Sequence, residues 1–328
     1  MNRKKMVASA IFLNMFAFVL ASAPATSQTN EFPSRPINMV VGFSAGGPAD
    51  AVARALAPVL GKALGSAFVI ENKPGADGNI AAAIVAKADP NGYTILLAPS
   101  THAINASLYK KLSFDSLNSF KPIALIGESP NIIAVHPSVP ANTLNEFIQY
   151  AKQTKPPLAY GSSSSVTQFA TELFNMNTGI EMMRVPYKGA GQAMPALLSG
   201  DVQVMISSLV TMLPHTSSGR VRGLAVTSAS RSPIAPNLPT VSELGIPDYS
   251  ASTWYGLFAP ADTPDAIANK ISEALAQALM DGDLNAKFSS QGFIIRRVGM
   301  SPSAFRQYVS DEIAKWRRVV SATGMTVD

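Results

Sequence analysis

Short apolar, β-branched runs alternate with helical patterns along almost the whole chain, and no other feature restricts its fold as tightly. Strands are read at 37–41, 68–71, 94–98, 123–126, 132–135, 158–160, 183–185, 202–206, 221–227, 254–258 and 293–298. Helices are read at 48–64, 78–88, 144–152, 167–177, 193–199, 264–280 and 302–320. Alternation at this spacing predicts βαβ units and mostly parallel sheets, an α/β fold. Two segments look like crossings. Residues 131–140 leave the first set of strands and run into a proline-rich turn, and 252–260 follow a turn-rich stretch at 230–247. A chain that leaves one α/β lobe and later returns builds two Rossmann-like lobes on a two-stranded hinge. The ligand cleft is then expected between them, at the carboxyl ends of the strands. The expected division puts 31–133 and 254–328 in lobe 1 and 134–253 in lobe 2.

The 328 residues, 47% apolar and 14% charged, suffice for two globular domains. The absence of cysteine excludes disulfides, thiolate metal sites, a thiol nucleophile and a lipid on an N-terminal cysteine. The first residues, MNRKKMVASAIFLNMFAFVLASAPATSQ, hold a positive n-region at Arg3, Lys4 and Lys5, an apolar stretch and then small residues. That predicts a secretory signal peptide in 1–25, cleaved after Ala25 or Ser27. The alternative is an uncleaved membrane anchor, for which the apolar stretch falls short of the about 20 residues a span needs. Without the signal, 23 basic residues face 21 acidic ones. No basic patch interleaved with aromatics appears, so nucleic acid is not an expected partner.

The stretch INMVVGFSAGGPAD at 37–50 allows two readings. Gly42-Phe43-Ser44-Ala45-Gly46 fits G-x-S-x-G, the nucleophile elbow of serine hydrolases. Catalysis would need a histidine base, an orienting acid and oxyanion donors, and only His102, His136 and His215 exist. The elbow also follows the first strand of the mature chain, so nothing upstream supplies an oxyanion loop. The other reading uses the glycines. Gly46 and Gly47 end a strand, Pro48 suits the first helical position, and Asp50 falls in the first turn, where a carboxylate caps free amides. Backbone N–H groups at such a helix start hold an anion without a cationic side chain. A second loop, Tyr160 to Thr167, again joins a strand to a helix and is rich in hydroxyls. Two such loops, one per lobe, would hold the two ends of a dianion across the cleft.

The expected wall holds Phe43, Ser44, Gly46, Gly47, Ala49 and Asp50 from the first loop. Ser162, Ser163, Ser165 and Thr167 come from the second, with Ser100, Thr101, Asn105, Tyr187, Ser207 and Ser208 around them. No arginine is evident for a bidentate clamp on a second carboxylate. Tyr187-Lys188-Gly189 reads equally as a cleft residue set or a surface turn, and Trp254 and Tyr255 either line the cleft or pack the hinge. No phosphate loop, dinucleotide fingerprint or zinc motif occurs, and no cofactor, metal or catalytic residue is expected.

These landmarks resemble the Bug (TctC-like) family, the periplasmic substrate-binding proteins of tripartite tricarboxylate transporters. They run in order as FPSRPI at 32–37, GGPAD at 46–50, ENKPGA at 71–76, DPNGY at 89–93, VPYKG at 185–189, LPTV at 238–241 and WYGLFAP at 254–260. The resemblance implies two lobes of the type II periplasmic-binding-protein kind. It implies a non-catalytic, monomeric receptor in the periplasm that captures a small organic acid and delivers it to membrane permease subunits. The alternatives are a secreted serine hydrolase using Ser44 and a receptor for a sensor system. Many family members carry an acid or amide where Ser207 stands. Its replacement by a hydroxyl argues against an amino-acid ligand, since no carboxylate is left to attract an ammonium group.

Overall fold

The computed structural model describes residues 31–187, 190–247, 249–296 and 301–327. The expected signal peptide, Lys188, Gly189 and the end of the last expected strand lie outside those residues. Among the described residues, eleven strands form two sheets. The first holds β1 (Ile37–Val41), β2 (Phe68–Asn72), β3 (Thr94–Pro99), β4 (Phe120–Ser129), β10 (Thr253–Pro260) and β11 (Ile294–Ile295) in the order β11-β4-β10-β3-β1-β2. The second holds β5 (Asn131–Val135), β6 (Ala159–Ser162), β7 (Met183–Pro186), β8 (Val204–Ser208) and β9 (Arg222–Val226) in the order β7-β6-β8-β5-β9.

The sheets are mixed rather than mostly parallel. β1 runs parallel to β2 and β3, and β6 to β7 and β8. β10 is antiparallel to β3 and β4, and β5 to β8 and β9. The reason is the crossing itself: a strand that enters a lobe from its neighbour meets the resident strands head-on.

The helices are α1 (Pro48–Leu64), α2 (Asn79–Ala86), α3 (Thr101–Leu108), α4 (Leu144–Gln153), α5 (Ser165–Thr178), α6 (Ala190–Ser199), α7 (Leu209–Ser217), α8 (Asp265–Ala278), α9 (Gly282–Ser290) and α10 (Pro302–Thr323). Three of them, α3, α7 and α9, are absent from the sequence reading. Each is short, and α3 and α7 begin within one residue of a strand end. The α1 boundaries match the sequence reading, because Pro48 at its start and Gly65 in the left-handed region at its end mark both limits.

One apolar cluster packs β1 and β2 with α1, α8 and α9 on one face of the first sheet. A smaller one packs β5 and β8 with α6 and α7 in the second lobe. The largest cluster runs through both lobes, from Val40, Phe258 and Trp316 to Tyr160, Phe169 and Phe174. The change of sheet falls at Pro130, between β4 and β5, and again between β9 and β10. A division after residue 133 therefore splits β5, whose residues all pair in the second sheet. The crossings are tied side by side. Asn131 Nδ2 donates to the Ala251 carbonyl at 2.9 Å, and Thr227 Oγ1 accepts the Asn131 N–H at 3.0 Å.

Candidate functional site

Four strands end in helix starts. β1 leads through residues 42–47 to α1, β3 through Ser100 to α3, β6 through Ser163 and Ser164 to α5, and β8 directly to α7. The first helical turn has no intrahelical acceptor for its N–H groups. In α1 the first ladder bond is Ala51 N–H to the Gly47 carbonyl, and Pro48 has no N–H, which leaves Ala49 and Asp50 as open donors. In α3 the N–H groups of Thr101 and His102 are open, and in α5 those of Ser165 and Val166. The Gly47, Ser100 and Ser208 caps of α1, α3 and α7 make no side-chain cap bond. Each helix start carries about half a positive charge, so these ends attract an anion without a lysine or arginine.

The glycine loop is braced from within. The Asp50 carboxylate is 2% exposed and accepts from Gly46 N–H at 2.9 Å, Arg54 Nε at 2.8 Å and Asn72 Nδ2 at 3.0 Å. The Arg54 hydrogen bond comes first in holding its pKa down to about 2, with the Gly46 and Asn72 bonds adding to it against the opposing effect of burial. Asn72 also donates to the Phe43 carbonyl at 2.9 Å, so the ENKPGA stretch anchors this loop. Gly46 sits at φ +79°, where a β-carbon is strained. Gly42 lies so close to Gly78 that a β-carbon there would meet the Gly78 Cα at 2.6 Å. Beside it, Ala76 and Asp77 hold φ +48° and +51°, a strained backbone of the kind kept at functional sites.

These observations correct several expectations. Gly46 N–H is occupied by Asp50, and Gly47 N–H bonds the Ser44 carbonyl at 3.2 Å, so the free donors of this loop lie further on. The Asp50 side chain is a brace and not a wall residue. Asn105 is buried and its Nδ2 donates to Asn79 Oδ1 at 2.8 Å and to the Asp77 carbonyl at 3.1 Å, yet it lines one small cavity with Phe43 and Thr101, as expected of a wall residue. The Thr167 hydroxyl closes a capping box with Ser164, a cap that the sequence reading passed over despite its S-x-x-T spacing. The Tyr187 ring packs in the small apolar cluster of lobe 2, on the Gly161 side of the sheet. Trp254 and Tyr255 are buried in the hinge.

Other expected wall residues remain at the strand ends. Ser44 is exposed, Ser163 and Ser208 are partly exposed, and Ser100, Thr101, Ser162 and Ser207 are buried. Ser165 opens α5. The Ser100 Oγ has no hydrogen-bond partner. An arginine does reach the serine loop: Arg184 Nε donates to Ser162 Oγ at 2.9 Å. Strand register links the two, since Tyr160 pairs with Arg184 and Ser162 points to the same face as Tyr160.

No triad assembles on Ser44. Among the described residues no hydrogen bond joins its hydroxyl to a histidine. His102 is buried and donates from Nε2 to the Ser116 carbonyl at 2.8 Å, and burial lowers its pKa to about 4. His136 bonds Ser138 at 2.8 Å and His215 bonds Arg220 at 2.7 Å. No cluster of three possible metal ligands exists among the described residues, and no helix there is long and apolar enough to cross a membrane.

The model of the tripartite tricarboxylate transporter family receptor matches residues 52–325. Protein BugT of Bordetella pertussis is 34% identical over 307 residues, covering 92% of this chain and 93% of BugT. Among solved structures, a TctC solute binding protein from Polaromonas aligns with a TM-score of 0.79 at 29% identity, covering 89% of this chain and 99% of that one. An R. palustris protein solved with adipate aligns at 0.74 with 35% identity, covering 90% and 99%. MatC from Rhodopseudomonas palustris, solved with bound malate, aligns at 0.70 with 33% identity, covering 88% and 100%.

Proposed function

The chain belongs to the tripartite tricarboxylate transporter receptor family, and from that premise we propose that it captures a small organic acid between its lobes in the periplasm and hands it to membrane permease subunits. Its fold and family are those of solute-binding receptors. The observation that carries the acid reading is the set of open helix-start amides at the strand ends of both lobes, with Asp50 already neutralised by Arg54. One carboxylate is held at the start of α1, between the N–H groups of Ala49 and Asp50. The other end of the ligand meets Ser163, Ser165 and Ser207 across the cleft. The relatives solved with adipate and malate support a dicarboxylate. The Arg184 guanidinium beside Ser162 adds the cation that such a ligand's second charge prefers. The receptor acts as a monomer and without catalysis.

A thermal-shift screen of mono-, di- and tricarboxylates, aromatic acids and glutamate tests this. A ligand at a hundredfold excess over Kd stabilises by about 2.7 kcal/mol, which is a readable shift. Stabilisation by a dicarboxylate is the expected result. A screen in which no acid shifts the melting temperature, or in which glutamate shifts it most, refutes the reading.

A further inference from the structure

Both tryptophans of the chain donate their indole N–H to one carboxylate oxygen. Glu312 Oε2 accepts from Trp254 at 3.0 Å and from Trp316 at 3.1 Å, and all three side chains are buried. The other oxygen takes Lys315 Nζ. That ammonium also donates to the Ser250 carbonyl at 2.9 Å and lies 4.5 Å from the Trp316 ring centre.

The placement of this cluster gives it a role. Trp254 is the second residue of β10, where the chain has just returned from lobe 2, and Ser250 lies in the same crossing. Trp316 belongs to α10, which packs on β4 and α3 of lobe 1. Its ring, however, meets Phe169 of α5 edge to face, with centroids 5.9 Å apart. Phe169 stands one turn into the helix whose start is the serine loop. One carboxylate therefore joins the returning crossing, the C-terminal helix and the surface on which lobe 2 rests. Hydrocarbon packing would bury β10 against α10 without a buried charge. What a hydrogen-bonded carboxylate adds is a fixed orientation.

Taking the receptor reading as its basis, we propose that Glu312 is a positioning residue for ligand capture: it fixes Trp316 as the pivot on which α5, and the serine loop with it, turns when the lobes close. A loosened pivot lowers the fraction of molecules whose lobes meet correctly. Apparent affinity falls by that fraction, although no cleft residue has changed.

The test compares wild type with Glu312→Gln, Trp316→Phe and the double variant. Tryptophan emission (for wild type and Glu312→Gln) and small-angle scattering are read on the ligand-free proteins, and calorimetry follows with adipate and malate. Glu312→Gln keeps the shape but cannot answer the Lys315 charge. It is expected to shift the emission, change the ligand-free radius and weaken binding of these acids about fivefold, the factor of one lost hydrogen bond. Trp316→Phe keeps an aromatic ring against Phe169, loses the N–H bond and moves affinity in the same direction. The double variant should fall short of the summed effects, because both changes break one network. A lower melting temperature with unchanged affinity and radius in both single variants overturns the proposal and leaves Glu312 a plain core residue. If wild type binds neither acid, the dicarboxylate reading fails, and the emission and radius of the ligand-free proteins still decide the pivot.

Discussion

Replacing Asp50 with Asn tests the brace beneath the glycine loop. The carboxylate holds Gly46, Arg54 and Asn72 at once, and its pKa falls from 3.8 to about 2. A drop of that size corresponds to about 2.4 kcal/mol of preference for the charged form. Arg54 is 54% exposed, so solvent screening reduces the contribution to roughly 1–2 kcal/mol. Because the folded pKa lies below the unfolded one, this stability is present above pH 3.8 and fades as pH falls toward about 2. Urea unfolding followed by circular dichroism should show Asp50→Asn with a lower midpoint at pH 7. The gap to wild type should close between pH 4 and 2. Equal midpoints at pH 7, or a gap that persists unchanged at pH 2, would refute the argument.

Four further outcomes follow from the same geometry. Gly46→Val places a β-branched residue at φ +79°, costs about 1–2 kcal/mol and misaligns the amides of α1, so calorimetry should show acid binding lost. Ser44→Ala should leave binding nearly intact, and a fluorophosphonate probe should not label the wild type; labelling at Ser44 would revive the elbow. Two lobes tied at Asn131, Thr227 and Ala251 should close on ligand, seen as a smaller radius in small-angle scattering. Buried His102 stays neutral to about pH 4 while the unfolded chain protonates near 6.5. Stability should therefore fall as pH drops through that window, by up to about 3 kcal/mol, and His102→Gln should flatten the slope in a urea series.

The sequence by itself determined what local chemistry controls. Apolar periodicity placed most strands and the long helices, because the period of burial is written into each segment. Pro48 and Gly65 delimited α1 for the same local reasons. Tertiary structure alone decided which groups were left over for a ligand. Asp50 and Thr167 look free in sequence, yet their oxygens are spent on Gly46 and on the Ser164 cap. Arg184 lies 22 residues from Ser162 and reaches it only because β6 and β7 pair in register. The short helix α3 starts within one residue of β3, so its open amides appear only once that strand is placed. Glu312 has no part in the sequence reading, and only the docking of α10 brings two tryptophans and a lysine to its carboxylate. Local propensity acts between neighbours in the chain, whereas hydrogen-bond partners are assigned by packing, and packing joins residues that the sequence keeps far apart.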